Sequence, residues 1–173
     1  MCYKNSETLI LSMIPFFAVE KTLGKLAKWL RLLGFDTLYE PGIATAEFIE
    51  NLESDRILLT RTQRIRKQSL HCKSIFVQSD HWAAQLKQLV LELGLTPDQT
   101  RPFSRCLHCN VPIVTAEKDS LWGRVPDYIF ETQEHFRRCP KCKRIYWPGT
   151  HTRTSLGKIK LVFNSCPSEN DIA

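Results

Sequence analysis

The chain has 173 residues, 43% hydrophobic and 24% charged, which suits a soluble globular protein of one ordinary domain or one domain plus a small module. The formal charge of +6 is uneven: residues 1–100 carry 12 Lys/Arg against 11 Asp/Glu, residues 101–160 carry 12 against 5, and the last 13 carry two acids only. A membrane-spanning or secretory start is excluded, because the apolar run Leu9 to Val19 is broken by Ser12 and Pro15, falls short of the about 20 residues a bilayer needs, and is followed by no small-residue cleavage site.

Along the first half, short β-rich runs alternate with helical ones, the pattern of an α/β domain with a mainly parallel sheet. After a frayed start, Phe16 to Glu20 reads as the first strand. Thr22 to Leu33 reads as a helix, with Leu23, Leu26, Leu30 and Leu33 on one face and Gly34 as its stop. Asp36 to Tyr39 is a second strand closed by Pro41-Gly42, and Thr45 to Glu53 a short helix with Phe48, Ile49 and Leu52 inward. Ile57 to Thr60 is the third strand, the basic stretch Arg61 to Lys67 follows, and Ser74 to Gln78 is the fourth strand. Trp82, Leu86, Leu89, Val90 and Leu93 mark an amphipathic helix ending at Gly94. The polar, proline-bearing stretch Thr96 to Pro102 is the expected domain boundary.

Beyond it the elements shorten, and two Cys-x-x-Cys pairs, Cys106/Cys109 and Cys139/Cys142, flank an insert from Asn110 to Arg138. A two-residue gap lets both thiolates of a pair face one centre, and two pairs complete a tetrahedral four-sulfur site, so structural zinc is expected. With four sulfurs on the metal, no position is open for a catalytic water. His108, inside the first knuckle, is a competing ligand, but the sulfur pair already satisfies the spacing. Strand character is expected at Pro112 to Ala116 and Arg144 to Trp147, a loop at Val125-Pro-Asp127, a short helix at Tyr128 to Phe136, and a loose tail after Asn164. The seven cysteines leave Cys2, Cys72 and Cys166 without obvious partners, which points to a reducing compartment, the cytoplasm by default. Four thiolates around one divalent ion leave a net charge of about −2, which accounts for part of the basic surplus. The remainder hints at nucleic acid.

Ligands of an open parallel sheet bind at the carboxyl ends of its strands. That makes Glu20, after the first strand, and Glu47, in the first turn of the second helix, the candidate carboxylates, able to hold magnesium or manganese through oxygen. Glu47 has an ordinary alternative as a solvated residue favoured by the helix dipole. A buried Glu20 needs a cation, either a divalent metal or Lys25. On the first helix, Lys21, Lys25 and Lys28 form a basic stripe opposite the leucines, with Trp29 and Arg31 on its flanks, suited to tracking a phosphate backbone and stacking a base. Arg61, Arg64, Arg66 and Lys67 follow the third strand, near the same edge. Gly-rich phosphate loops, a nucleophile elbow and a dinucleotide fingerprint are all absent.

The ordered set Lys21 to Thr37, Ile57-Leu-Leu-Thr-Arg61, Arg105-Cys-Leu-His-Cys-Asn110, Val125-Pro126 and Cys139 to His151 resembles the Mut-seven C-terminal RNase domain family. The resemblance spans about Phe16 to His151 and implies a PIN-like, three-layer α/β nuclease domain, residues 14–98, followed by a small β-rich zinc ribbon, residues 103–152. It implies a hydrolase, a metal-dependent ribonuclease acting on single-stranded RNA through acidic residues. Two family positions differ: Glu20 and Thr62 stand where the pattern has Asp. Glutamate keeps the charge on a longer arm, whereas a hydroxyl does not replace a carboxylate on magnesium. Asp36, Asp55 and Asp80 are further acids near strand ends. The alternatives are an RNA-binding protein with little or no catalysis, and a protein-interaction module built on the ribbon.

Overall fold

The computed structural model describes residues 14–66 and 71–165. The frayed start, Cys2, Lys67, Cys166 and the tail from residue 166 lie outside the described residues, and of Arg66 only the backbone is described.

Strands β1 (Phe16–Val19), β2 (Thr37–Leu38), β3 (Arg56–Thr60) and β4 (Ser74–Phe76) form one parallel sheet in the order β2-β1-β3-β4. Alternation along the strands divides the core in two, as a pleat requires. Phe17, Val19 and Leu59 face one side, where they meet Leu26 and Leu30 of α1 (Gly24–Leu32) and Leu86 and Leu89 of α4 (Trp82–Leu93). Ala18 and Leu58 face the other, against Phe48 and Ile49 of α2 (Thr45–Glu50) and Ile65 of α3 (Gln63–Arg66). The result is the expected three-layer α/β arrangement. The basic stretch after β3 is itself a helical turn, α3, because Ile65 supplies an apolar contact among its charges.

Gly34 ends α1 as expected, for a reason the helical pattern does not contain. Its φ is +95°, and a Cβ there would lie 2.5 Å from the carbonyl oxygen of Arg101. The boundary stretch runs directly beneath it, with Arg101 N–H donating to Leu33 O and Phe103 N–H to Leu32 O, both at 2.8 Å. So Thr96 to Pro102, which includes a 3-10 turn at Pro97–Gln99, is bonded to the end of α1.

The second unit is an antiparallel sheet of β5 (Val114–Ala116), β6 (Phe136–Arg138) and β7 (Ile145–Tyr146) in sequence order. The short helix α5 (Asp127–Thr132) stops earlier than its expected end at Phe136. Phe136 instead opens the central strand β6, pairs with Ala116 and packs on Leu121, Val125 and Ile129.

After the ribbon comes an element the sequence pattern does not predict, α6 (Thr150–Asn164). It returns to the first unit: Ile159 and Val162 are buried in the same core cluster as Leu26, Leu86 and Leu89. No helix among the described residues is long and apolar enough to cross a membrane.

Candidate functional site

The two Cys-x-x-Cys turns are built alike. Cys106 and Cys139 each accept a backbone N–H on sulfur three residues on, from Cys109 at 3.3 Å and Cys142 at 3.4 Å. Each turn closes through a residue at positive φ, Asn110 at 64° and Lys143 at 62°. Those residues donate back to the carbonyls of Cys106 and Cys139, at 2.9 and 3.0 Å. The four Sγ atoms lie within 4.8 Å of one another. Cys106 Sγ is 3.7 Å from Cys142 Sγ, against an edge of about 3.8 Å for a tetrahedron with metal–sulfur bonds of about 2.3 Å. The donor set fits a zinc ribbon.

The protonation of these thiols also calls for a cation. Burial raises the Cys106 thiol, but the Tyr146 hydroxyl, 3.1 Å away, and the N–H groups of Cys109 and His108 outweigh it and bring it to about 6. Cys109 is pushed up to about 12 by desolvation and by the neighbouring sulfurs of Cys142 and Cys106. Four thiolates coexist here only with a positive ion between them. His108 stays outside the set: its ring is exposed, with Nδ1 3.5 Å from Cys109 Sγ, and its carbonyl accepts from Arg31.

At the opposite edge of the sheet lies Glu20. The strand order reverses between β1 and β3, and in open α/β sheets the crevice at such a switch point, at the carboxyl ends, is where ligands bind. Glu20 follows β1 there, and Thr60, Arg61 and Thr62 follow or end β3. The Glu20 residue is only 3% exposed. Its Oε2 accepts from the Thr60 hydroxyl at 2.5 Å and from Arg61 N–H at 2.9 Å, and its Oε1 from the Thr62 hydroxyl at 2.6 Å. Burial pushes the carboxyl up, yet these donors hold it below the ordinary carboxylate range. The expected choice between a divalent ion and Lys25 is thereby corrected. Neutral hydroxyl and amide donors satisfy the buried carboxylate, while Lys25 is exposed and in no ion pair among the described residues.

The other acids do not join it. Among the described residues, the one group of three or more His, Cys, Asp or Glu with converging donor atoms is the four cysteines. Glu47 is exposed on α2. Asp55 is exposed just before β3, and Asp80 forms an ion pair with Arg61. Asp36 sits before β2, at the sheet edge away from Glu20, and has a structural task. Its Oδ1 accepts from Arg56 at 2.8 Å and from Asn110 Nδ2 at 3.0 Å, and its Oδ2 lies 3.2 Å from Arg105. Burial raises it, and the bonds from Arg56 and Asn110 more than reverse that. Magnesium and manganese need oxygen ligands, commonly one or two carboxylates completed by water and substrate phosphate. Glu20 meets that minimum and no more.

Of the expected RNA-contacting residues, Lys21, Lys25, Lys28 and Arg64 are exposed. Trp29 lies flat on Trp82, centroids 4.0 Å apart and planes 7° from parallel, so one face of its ring is already covered. Arg31 is a correction, being only 5% exposed. Its Nε and Nη2 donate to Thr37 O at 3.0 and 2.9 Å, and its Nη1 to Leu107 O at 3.0 Å and His108 O at 2.9 Å. It fastens the first cysteine turn to α1 and cannot reach a surface strand. Thr60 is a site residue that sequence reasoning misses, since its only signal is a hydroxyl at the end of a buried strand.

The description "Mut7-C RNAse domain" belongs to the family model that matches this chain, over residues 15–159. No curated protein and no solved structure matches it. With most of its length covered, the chain belongs to the Mut7-C RNAse domain family.

Proposed function

We propose that this member of the Mut7-C RNAse domain family is a ribonuclease for single-stranded RNA, with Glu20 as the carboxylate of its cleavage site and Thr62 as the residue that limits it. The observation that carries the reading is a buried, ionised carboxylate at the β1–β3 switch point, with Lys21, Arg61 and Arg64 beside it in the chain. Lys25 and Lys28 extend the positive surface along α1. Exposed cations of this kind bind phosphates whatever the base sequence. A divalent ion at Glu20 would supply charge neutralisation at the scissile phosphate and an activated water. The chain's own part is to hold the acceptor oxygens in place through Thr60, Arg61 N–H and Thr62. The ribbon metal, which we take to be zinc, is structural. Cysteines that form no disulfide among the described residues suit a reducing, cytoplasmic setting.

A second reading is favoured by the Thr62 hydroxyl on Oε1 and the lack of a second acid: a protein that binds RNA and cuts it slowly or not at all. One experiment separates them. Manganese-dependent cleavage and affinity for a labelled single-stranded RNA are measured for the wild type, Glu20→Gln and Thr62→Asp. The ribonuclease reading expects cleavage by the wild type, its loss in Glu20→Gln, and little change in affinity. Cleavage that appears only in Thr62→Asp, at unchanged affinity, establishes the binder. Wild-type cleavage that survives Glu20→Gln removes Glu20 from the site.

A further inference from the structure

The ribbon has a cavity of about 440 Å³, within the roughly 300–1,000 Å³ of small-ligand sites. Arg124, Lys143 and Arg144 supply cations to its wall, Tyr146 and Trp147 aromatic rings, Leu107 an aliphatic contact, and no acid lines it. The cations come from two separate parts of the chain, Arg124 from the insert after Leu121 and the other two from the second cysteine turn.

Basic residues near a four-thiolate centre have an ordinary explanation, compensation of its negative charge. That task falls to Arg31, whose buried guanidinium is stabilised by the charges of Cys106, Asp36 and Cys109. Lys143 is partly committed, its ammonium donating to Pro140 O at 2.6 Å. Arg124 and Arg144 are different. Both are exposed, and among the described residues neither guanidinium has an ion-pair or hydrogen-bond partner. Free guanidiniums suit the bidentate recognition of phosphate oxygens, and flat rings beside them suit a base, which stacks through its π-face regardless of identity.

We propose that this cavity is a nucleotide-binding subsite, in which Arg124 and Arg144 grip the phosphate and Trp147, beside Tyr146, receives the base. It is separate from the Glu20 edge, because the ribbon docks through Arg31, Arg105 and Asn110 on the end of α1 and the start of β2, the opposite edge of the sheet. It is also tied to the metal centre, since the Tyr146 hydroxyl donates to Cys106 Sγ at 3.1 Å. The proposal concerns binding and stands whether or not the protein cleaves RNA.

The test uses the full, metal-loaded chain, following its tryptophan indole N–H signals by NMR and its affinity by calorimetry. The probes are adenosine 5′-monophosphate, adenosine, inorganic phosphate and a short single-stranded oligoadenylate. Expected are a shift of the Trp147 signal with the monophosphate or the RNA, and at least about tenfold weaker binding by adenosine or phosphate alone, since each offers only half of the contacts. The double variant Arg124→Gln/Arg144→Gln, which touches exposed side chains only, should keep its metal and circular dichroism and bind about tenfold more weakly or worse. RNA binding much tighter than the monophosphate makes the ligand a residue of a chain, and equal affinity makes it a free nucleotide; both support the subsite. Phosphate binding as tightly as the monophosphate overturns it. So does unchanged affinity in the double variant, or no Trp147 response to either nucleotide probe.

Discussion

Replacing Arg31 by Met separates a fastening role from an RNA-contacting one. The substitution keeps the aliphatic stem and removes four hydrogen bonds to three carbonyl oxygens, those of Thr37, Leu107 and His108. A buried acceptor left unpaired costs about 1–3 kcal/mol. The Thr37 contacts are buried and the Leu107 and His108 contacts are partly so. Water can reach the latter two, so their cost falls toward the lower figure and the whole to about 3–5 kcal/mol. At about 2–4 °C per kcal/mol for a chain of this size, the melting temperature should fall by roughly 10 °C. The assay is a thermal melt of the metal-loaded protein, with RNA affinity measured alongside at low salt. Lys28→Gln serves as the control, an exposed change expected to stay within about 0.5 kcal/mol. A melting temperature lowered by less than about 2 °C, together with RNA affinity that falls as it does in Lys28→Gln, would refute the fastening argument and return Arg31 to the RNA surface.

Two further outcomes follow from the electrostatics. Glu20 and Asp36 are held below their ordinary values in the folded chain, so their stabilisation is complete above the unfolded carboxylate value, about 4, and drains away as pH falls through the lowered folded values. Glu20→Gln and Asp36→Asn should be less stable than the wild type at pH 7 and lose less on acidification to about pH 3, read from urea midpoints across that range; parallel curves would contradict the assignment. Metal analysis should find one ion per chain at the four cysteines, and Cys142→Ser or chelation should remove it and abolish the near-ultraviolet signal of the ribbon tryptophans. A metal-free protein with an intact ribbon would contradict that.

What was legible in the sequence was what repeats or is spaced locally. The leucines of α1, the apolar positions of α4 and the paired cysteines each declare their partners within a few residues. What was not legible depends on distant groups. Arg31 sits among lysines on a helical wheel, and nothing nearby shows that carbonyls 76 and 77 residues on will enclose it. Thr62 looks like the loss of a charge, and only the fold shows its hydroxyl meeting Glu20 across 42 residues. Helix α6 has few apolar residues among its cations and threonines, Gly157 interrupts it, and its two buried positions are apolar only in the company of α1 and α4. Phe136 reads as the end of a helix until its pairing with Ala116 is seen.

Helix α6 also changes what counts as a removable part. The chain leaves the parallel-sheet unit near Phe103, makes the ribbon, and returns to bury Ile159 and Val162 against the helices it left. Burying two such side chains is worth about 1.5–3 kcal/mol each, an appreciable share of the stability of an ordinary domain. A fragment cut at residue 98 would therefore expose part of its own core, and one cut just after the ribbon would do the same. The ribbon is spliced into the larger unit rather than appended to it, held at both ends of its own span. Any movement of the metal centre is then felt at two anchor points, one on Arg31 and one on the helix that closes the core.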